Sequence, residues 1–324
     1  MSKSIKPSKL TQGDTVGIIS PSSPITEYLL PQFNQGIKTL EKLGLHTKIA
    51  PHTFDKYYYS AGKREDRIND FNDMWDDPEV KMILLTLGGT TALQLVDGID
   101  FELIKKHPKI FSGISDGTIL LNAINAKTNL VTFHGPDLLF TFGQKITPMI
   151  KENMINTFFK GKIGKLEPNK YWENVLEPNI VYTGWNWLRE GTATGELVGG
   201  HLNCFMQLLY SGYGPDVQGK ILFLEGTGFI SALDRQFTSL RLSGVFDKIA
   251  GLILGWFDGH ALPDREKSRS VADVILEITE NYSFPILEIG ELGHNVENYT
   301  LPIGCQATID SKTNSFSIDE KTVL

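Results

Sequence analysis

Between residues 15 and 135 short apolar runs alternate with longer stretches in which apolar side chains return every three or four positions. Short runs bounded by Gly, Ser or Pro fit buried strands, and the recurrence near 3.6 residues fits helices laid over them. The pattern predicts strands at 16–20, 47–50, 82–87, 110–114 and 130–133, with helices at 29–43, 64–75, 91–96 and 117–125. Strand and helix in alternation imply a parallel sheet with crossover helices, hence an α/β fold. From about 163 to 186 the periodicity disappears and Lys, Pro, Asn and Trp dominate, which reads as a linker or lid. Beyond it come Gly-rich, strand-like pieces (GELVGGHL, GKILFLEG, AGLILGWFDG, FPILEIGELGH and LPIGCQATID) with helices at 233–242 and 270–279. The expected division is a first domain at 1–165, a linker at 166–187 and a smaller, β-rich α+β domain at 188–324.

Composition narrows the function classes. The 324 residues are 41% hydrophobic and 21% charged with a net charge of −7, and no Lys/Arg run exceeds a pair, so neither a nucleic acid nor a membrane surface is an expected partner. The two cysteines, Cys204 and Cys305, lie in no C-x-x-C pair, which argues against a disulfide framework and against zinc. No apolar run has the length of a bilayer span and the N-terminal segment lacks a signal-peptide core, so the expected compartment is the cytoplasm.

Chemistry enters at Gly113-Ile114-Ser115-Asp116-Gly117, where a predicted strand turns into a predicted helix. G-x-S-x-G is the spacing of a nucleophile elbow, whose tight turn strains the serine and tolerates only small neighbours. The helix that follows offers unpaired N–H groups to a developing oxyanion. The same residues also fit a plain turn with a capping serine. Two further strand ends, Ser20-Pro21-Ser22-Ser23 and Gly88-Gly89-Thr90-Thr91, are small and precede helices. Ligands bind at the carboxyl ends of strands in open α/β sheets, so these loops and Ser115 are expected to share one crevice. Neither glycine-rich phosphate motif is present.

A serine nucleophile needs a base and a carboxylate to orient it. Among the histidines, His46, His52 and His107 lie in polar or Pro-flanked surroundings. His134 ends a strand and suits a structural role as well as a catalytic one. His294 is better placed, in a loop after a strand-like run and the small Gly293. Glu225 ends the apolar run Leu222-Phe223-Leu224, where a lone charge is costly and demands a partner. A buried salt bridge would satisfy it equally. The order Ser115, Glu225, His294 matches that of α/β-hydrolases.

In these residues the chain resembles the LD-carboxypeptidase family of serine peptidases, which also contains the microcin C immunity peptidases. The likeness runs through Gly13-Asp14-Thr15-Val16, Ser20-Pro21-Ser22, Gly88-Gly89, Gly113-Ile114-Ser115-Asp116, Thr132-Phe133-His134-Gly135-Pro136, Leu197-Val198-Gly199-Gly200, Leu222-Phe223-Leu224-Glu225, Gly293-His294 and Leu301-Pro302-Ile303-Gly304. The resemblance implies a Rossmann-like N-terminal domain, with Ser115 as nucleophile, His294 as base and Glu225 as its orienting acid, the triad split between domains. It further implies an oxyanion hole from the backbone amides of Asp116 and the Gly88-Gly89 turn, no metal or organic cofactor, a small peptide-like substrate cut near its carboxy terminus, and a homodimer. Muropeptide-cleaving members usually carry Arg before the paired glycines, whereas this chain has Leu87, which moves the expectation toward the immunity branch. Substrate-binding candidates are then Thr90, His201 where Asn is usual, and Trp185 and Trp187, whose indoles suit stacking on a base, although packing between domains would explain them too. The rival readings are a muropeptide carboxypeptidase acting on terminal D-Ala, an α/β-hydrolase esterase, and a binding protein without catalysis.

Overall fold

A computed structural model describes residues 4–174, 182–258 and 268–324. The chain opens with β1 (Thr15–Ile19), α1 (Leu30–Lys42), β2 (His46–Ile49), α2 (Arg64–Asp76), β3 (Val80–Leu85), α3 (Phe101–Lys106), β4 (Ile110–Gly113), α4 (Gly117–Thr128), β5 (Thr132–His134) and α5 (Pro148–Ile155). It continues with β6 (Gly164–Leu166), β7 (Asn186–Arg189), β8 (Thr192–His201), α6 (Leu202–Tyr210), β9 (Ile221–Thr227), α7 (Ile230–Leu242), β10 (Gly251–Asp258) and α8 (Val271–Ile278). The last strands are β11 (Ile286–Gly293), β12 (Leu301–Ile303), β13 (Gln306–Asp310) and β14 (Ser315–Ile318). The apolar runs thus became strands and the amphipathic stretches helices. The segment expected as a helix at 91–96 is instead a 3-10 helix over Ala92–Gly98.

Two sheets result. The first runs β12-β5-β4-β3-β1-β2, parallel except at β12, and the second runs β6-β14-β13-β8-β9-β10-β11-β7, with β8 to β11 parallel at its centre. In the first sheet β1 lies between β2 and β3, so strand order reverses there. Crossover helices then leave on opposite faces and open a crevice at the carboxyl ends of β1 and β3. The loops at 20–23 and 88–91 are at those ends. Leu301–Ile303, read among the C-terminal pieces, lies on the first sheet, antiparallel to β5. Pro302 is tolerated because this is an edge strand.

One apolar cluster continues from the first sheet to the inner face of the second. Along β9, Ile221 and Phe223 belong to it, while Leu222 and Leu224 face α6, α7 and α8 in a separate cluster. That alternation decides the position of Glu225, because side chains two residues apart share a face. Glu225 therefore points toward the first domain. α4, buried on nearly every side, is the element between the domains. Asn122 on it exchanges hydrogen bonds with Gly199, and its Thr118 hydroxyl accepts the His201 N–H at 3.0 Å. Gly200 permits this approach. Its φ is +133°, and a Cβ there would stand 2.7 Å from Thr118 Cγ2. No helix among the described residues is long and apolar enough to cross a membrane.

Candidate active site

Ser115 closes the turn from β4 to α4 with φ +61°, a left-handed conformation that costs a non-glycine residue about 1–2 kcal/mol. Its flanks are small for a local reason: a Cβ on Gly113 or Gly117 would run into Leu85 of β3. Gly88 lies against the serine, since a Cβ there would stand 2.8 Å from Ser115 Oγ and 3.3 Å from the Asp116 nitrogen. Among the described residues, the N–H groups of Gly88, Gly89 and Asp116 donate to nothing. Donors left unpaired beside a hydroxyl are what an oxyanion needs. Thr90 is exposed at the rim of this loop.

The second sheet supplies the titratable groups. Fully buried Glu225 meets His294 Nδ1 through Oε2 at 2.8 Å, which leaves the other ring nitrogen, Nε2, to exchange a proton. Burial opposes the charged imidazole, but the charge and hydrogen bond of Glu225 prevail and raise the His294 pKa above its usual value. Burial equally opposes ionisation of Glu225, yet His294, His201 and His134 hold its carboxyl below the ordinary range. The His294 loop is clasped at its base, where Gly293 N–H donates to Asn298 Oδ1 at 2.6 Å and Asn298 Nδ2 returns a bond to Gly293 O at 2.8 Å. Asn295 donates to Asp258 from the following position.

His201 ends β8 opposite Glu225 in the ladder, and its ring packs against that of His294 with centroids 5.4 Å apart. Its buried Nδ1 has no partner, and burial lowers its pKa. His134 is fully buried against Phe223 and pushed down to about 4, so it is a neutral packing group at ordinary pH. The Cys204 thiol donates to Asp116 Oδ1 at 3.7 Å, which ties the elbow to the helix that follows β8. The structure thus brings Glu225 and His294 together, and separately sets the strained Ser115 hydroxyl against the Gly88 turn and its unpaired amides; no hydrogen bond joins Ser115 Oγ to His294 among the described residues.

The tryptophan candidates separate. Trp185 is buried, donating through its indole to Glu291 at 2.9 Å, and lines a cavity of about 530 Å³ with Trp172, Tyr182, Trp256 and Ser270. Trp187 gives its indole N–H to Asn314 at 2.9 Å and does not line that cavity. Trp256 is paired in the ladder with Gly293, which brings the cavity wall next to His294. Within the expected linker, Asn169 and Trp172 are stitched to β11 through Glu291 and the Gly290 carbonyl, while 175–181 lie outside the described residues, as does His260. Sequence reasoning missed Glu291, which gathers Asn169, Tyr182 and Trp185 around one buried carboxylate. The signal was an acid inside an apolar run, the one that singled out Glu225. The described residues able to surround a cation are His52, Asp55 and Asp66, and His52 is already bonded through Nδ1 to Asp70.

Known proteins resemble this chain over nearly its whole length. Residues 16–135 match the profile of the LD-carboxypeptidase N-terminal domain and 194–309 that of the LD-carboxypeptidase C-terminal domain. A probable murein peptide carboxypeptidase of Bacillus subtilis is 34% identical over 97% of this chain and 94% of its own. The microcin C7 self-immunity protein MccF of Escherichia coli is 31% identical over 96% and 95%. Among solved structures, MccF in complex with aspartyl sulfamoyl adenosine superposes with a TM-score of 0.89 at 28% identity, covering 99% of this chain and 100% of that one.

Proposed function

Because the chain belongs to the LD-carboxypeptidase family, a family of peptidases, we propose that it is a serine peptidase that cleaves an amide near the carboxy terminus of a small peptide-like substrate. The observation that carries this reading is the 2.8 Å bond between buried Glu225 and His294, which we place opposite the strained Ser115 across the domain junction where His201 N–H meets Thr118 of the serine's own helix. In the reaction Ser115 Oγ attacks the scissile carbonyl while His294 Nε2 takes its proton. The carbonyl oxygen becomes an oxyanion facing the amides of Asp116 and the Gly88-Gly89 turn. His294 then gives the proton to the departing amine, and water hydrolyses the acyl-enzyme by the same steps. Glu225 keeps the proton of neutral His294 on Nδ1 and offsets the charge the ring acquires.

The substrate we favour is a peptidyl or aminoacyl nucleotide. Two features support it: an aromatic-walled cavity beside His294 that suits a flat base, and Leu87 where a guanidinium would hold a terminal carboxylate. MccF is crystallised with aspartyl sulfamoyl adenosine. The murein reading rests on the Bacillus subtilis relative. Purified protein would be given, in parallel, an aminoacyl sulfamoyl adenosine and a murein tetrapeptide ending in D-Ala. Faster release from the nucleotide, abolished in S115A, is expected. Preferential release of D-Ala would transfer the assignment to murein, and undiminished turnover by S115A would remove the nucleophile.

A further inference from the structure

The proposed oxyanion hole draws its amides from two loops, and a side chain on one of them grips the other. Asp116 Oδ2 accepts from the Ala92 N–H at 2.8 Å and from the Ser22 hydroxyl. Ser22 Oγ accepts in turn from the Thr91 N–H at 2.9 Å. Thr91 and Ala92 follow directly on Gly88-Gly89-Thr90, and Ser22 belongs to the loop after β1. Three strand-end loops, after β1, β3 and β4, thus meet on one carboxylate. The Ser23 N–H adds a bond to the Gly88 carbonyl at 3.1 Å, and Arg67 backs the junction, donating to Pro21 O at 2.7 Å and Thr91 Oγ1 at 2.9 Å. Asp116, Ser22, Thr91 and Arg67 are each at most 3% exposed. Asp116 Oδ1 accepts from the Cys204 thiol at 3.7 Å.

We propose that the Asp116 side chain is a positioning residue: through Ser22, Thr91 and Ala92 it fixes the Gly88-Gly89 amides at the separation from the Asp116 amide that a developing oxyanion requires. The inference rests on the reading of Ser115 as nucleophile. One residue then offers a donor through its backbone and sets the opposite wall through its carboxylate. A carboxylate suits the task because it accepts two hydrogen bonds strongly at one oxygen. The catalytic cost of losing the grip follows from geometry, since donors displaced by about 1 Å lose about 100-fold in rate.

The test compares wild type, D116A, D116N and S22A by kcat and KM for amide release, rate of Ser115 labelling by a fluorophosphonate, pH profile and thermal melting. D116A is expected to lose about 100-fold in both kcat and labelling rate, with KM within about threefold. Its acid limb stays in place, because the Glu225–His294 pair is untouched. D116N, with its amide oxygen in the place of Oδ2, recovers most of the loss, and S22A shows a smaller loss of the same kind. Wild-type kcat and labelling in folded D116A, or in S22A if D116A does not fold, would overturn the proposal. So would D116N as impaired as D116A, which would make charge rather than placement decisive, or a change confined to KM. A wild-type protein unlabelled at Ser115 would instead defeat the nucleophile assignment itself, before any variant is compared.

Discussion

Replacing Glu225 by Gln removes one charge from the buried centre of the site and changes almost nothing in its shape. Unit charges about 4 Å apart attract by about 4 kcal/mol at an effective dielectric of about 20. Desolvation of both groups cancels much of this, and Gln can still accept from Nδ1, so the expected loss of stability is about 1–3 kcal/mol. The pH profile carries the sharper signature. In the native protein burial works to lower the His294 pKa, but Glu225 outweighs it and the net shift is upward. With Gln the two largest raising influences are gone and only Asp137 and Asp258 still oppose burial, so the pKa falls. Catalysis needs the neutral ring, so the acid limb of kcat/KM should lie above about pH 6.5 in wild type and move to lower pH in E225Q. kcat should fall by about 10²–10⁴-fold, as in other triads stripped of their acid. Melting curves supply an independent check. Glu225 has a lowered pKa, so its stabilisation is present above the ordinary Glu range and lost as pH falls through the lowered value. His294 has a raised pKa, so its stabilisation is complete below about pH 6.5 and lost as pH rises through the raised value. The stability gap between wild type and E225Q should be widest at about pH 5–6.5 and narrow on either side. Measurement of kcat/KM and melting from pH 4 to 9 on both proteins decides the matter. An acid limb at the same pH in both, or wild-type kcat in E225Q, refutes the pairing as a catalytic device.

Three further outcomes are expected. S115G and S115A should both be inactive, but S115G should be the more stable by about 0.5–1 kcal/mol in denaturant melts, since glycine accepts φ +61° without steric cost; a more stable S115A would show that the turn is unstrained. G200A should lose about 2–4 kcal/mol and most activity, because its Cβ would collide with Thr118 at the domain junction; full activity and stability in that variant would show that the approach of β8 to α4 is not tight. W172A should raise KM for the aminoacyl nucleotide about tenfold or more with little change in kcat. Its turnover of a D-Ala tetrapeptide should be unaltered, and an equal effect on both substrates would deny the cavity a role in holding a base.

Local rules made the elements and the elbow legible. Apolar runs and 3.6-residue recurrence located the strands and helices of the first domain, because burial of a strand or of one helix face imposes its period wherever the partner lies. Gly113 and Gly117 marked Ser115 because a turn pressed against Leu85 admits nothing larger, and an acid at the end of an apolar strand marked Glu225. Sequence alone therefore determined the α/β class and the need of Glu225 for a partner, and it marked Ser115 as the candidate elbow whose left-handed φ the structure then showed.

Which partner it found was decided by tertiary structure. Whether Glu225 faces the first domain depends on the register of β9 within a sheet assembled from distant strands, and its bond to His294 on where the β11 loop is tied by Asn298 and Asp258. The Asp116 grip on Ser22 and Ala92, the separation of Trp185 from Trp187, and the return of Leu301–Ile303 to the first sheet have the same character. Each is a contact between residues far apart in the chain, fixed by packing geometry to a fraction of an ångström, whereas periodicity records only which side of an element is buried and not what buries it.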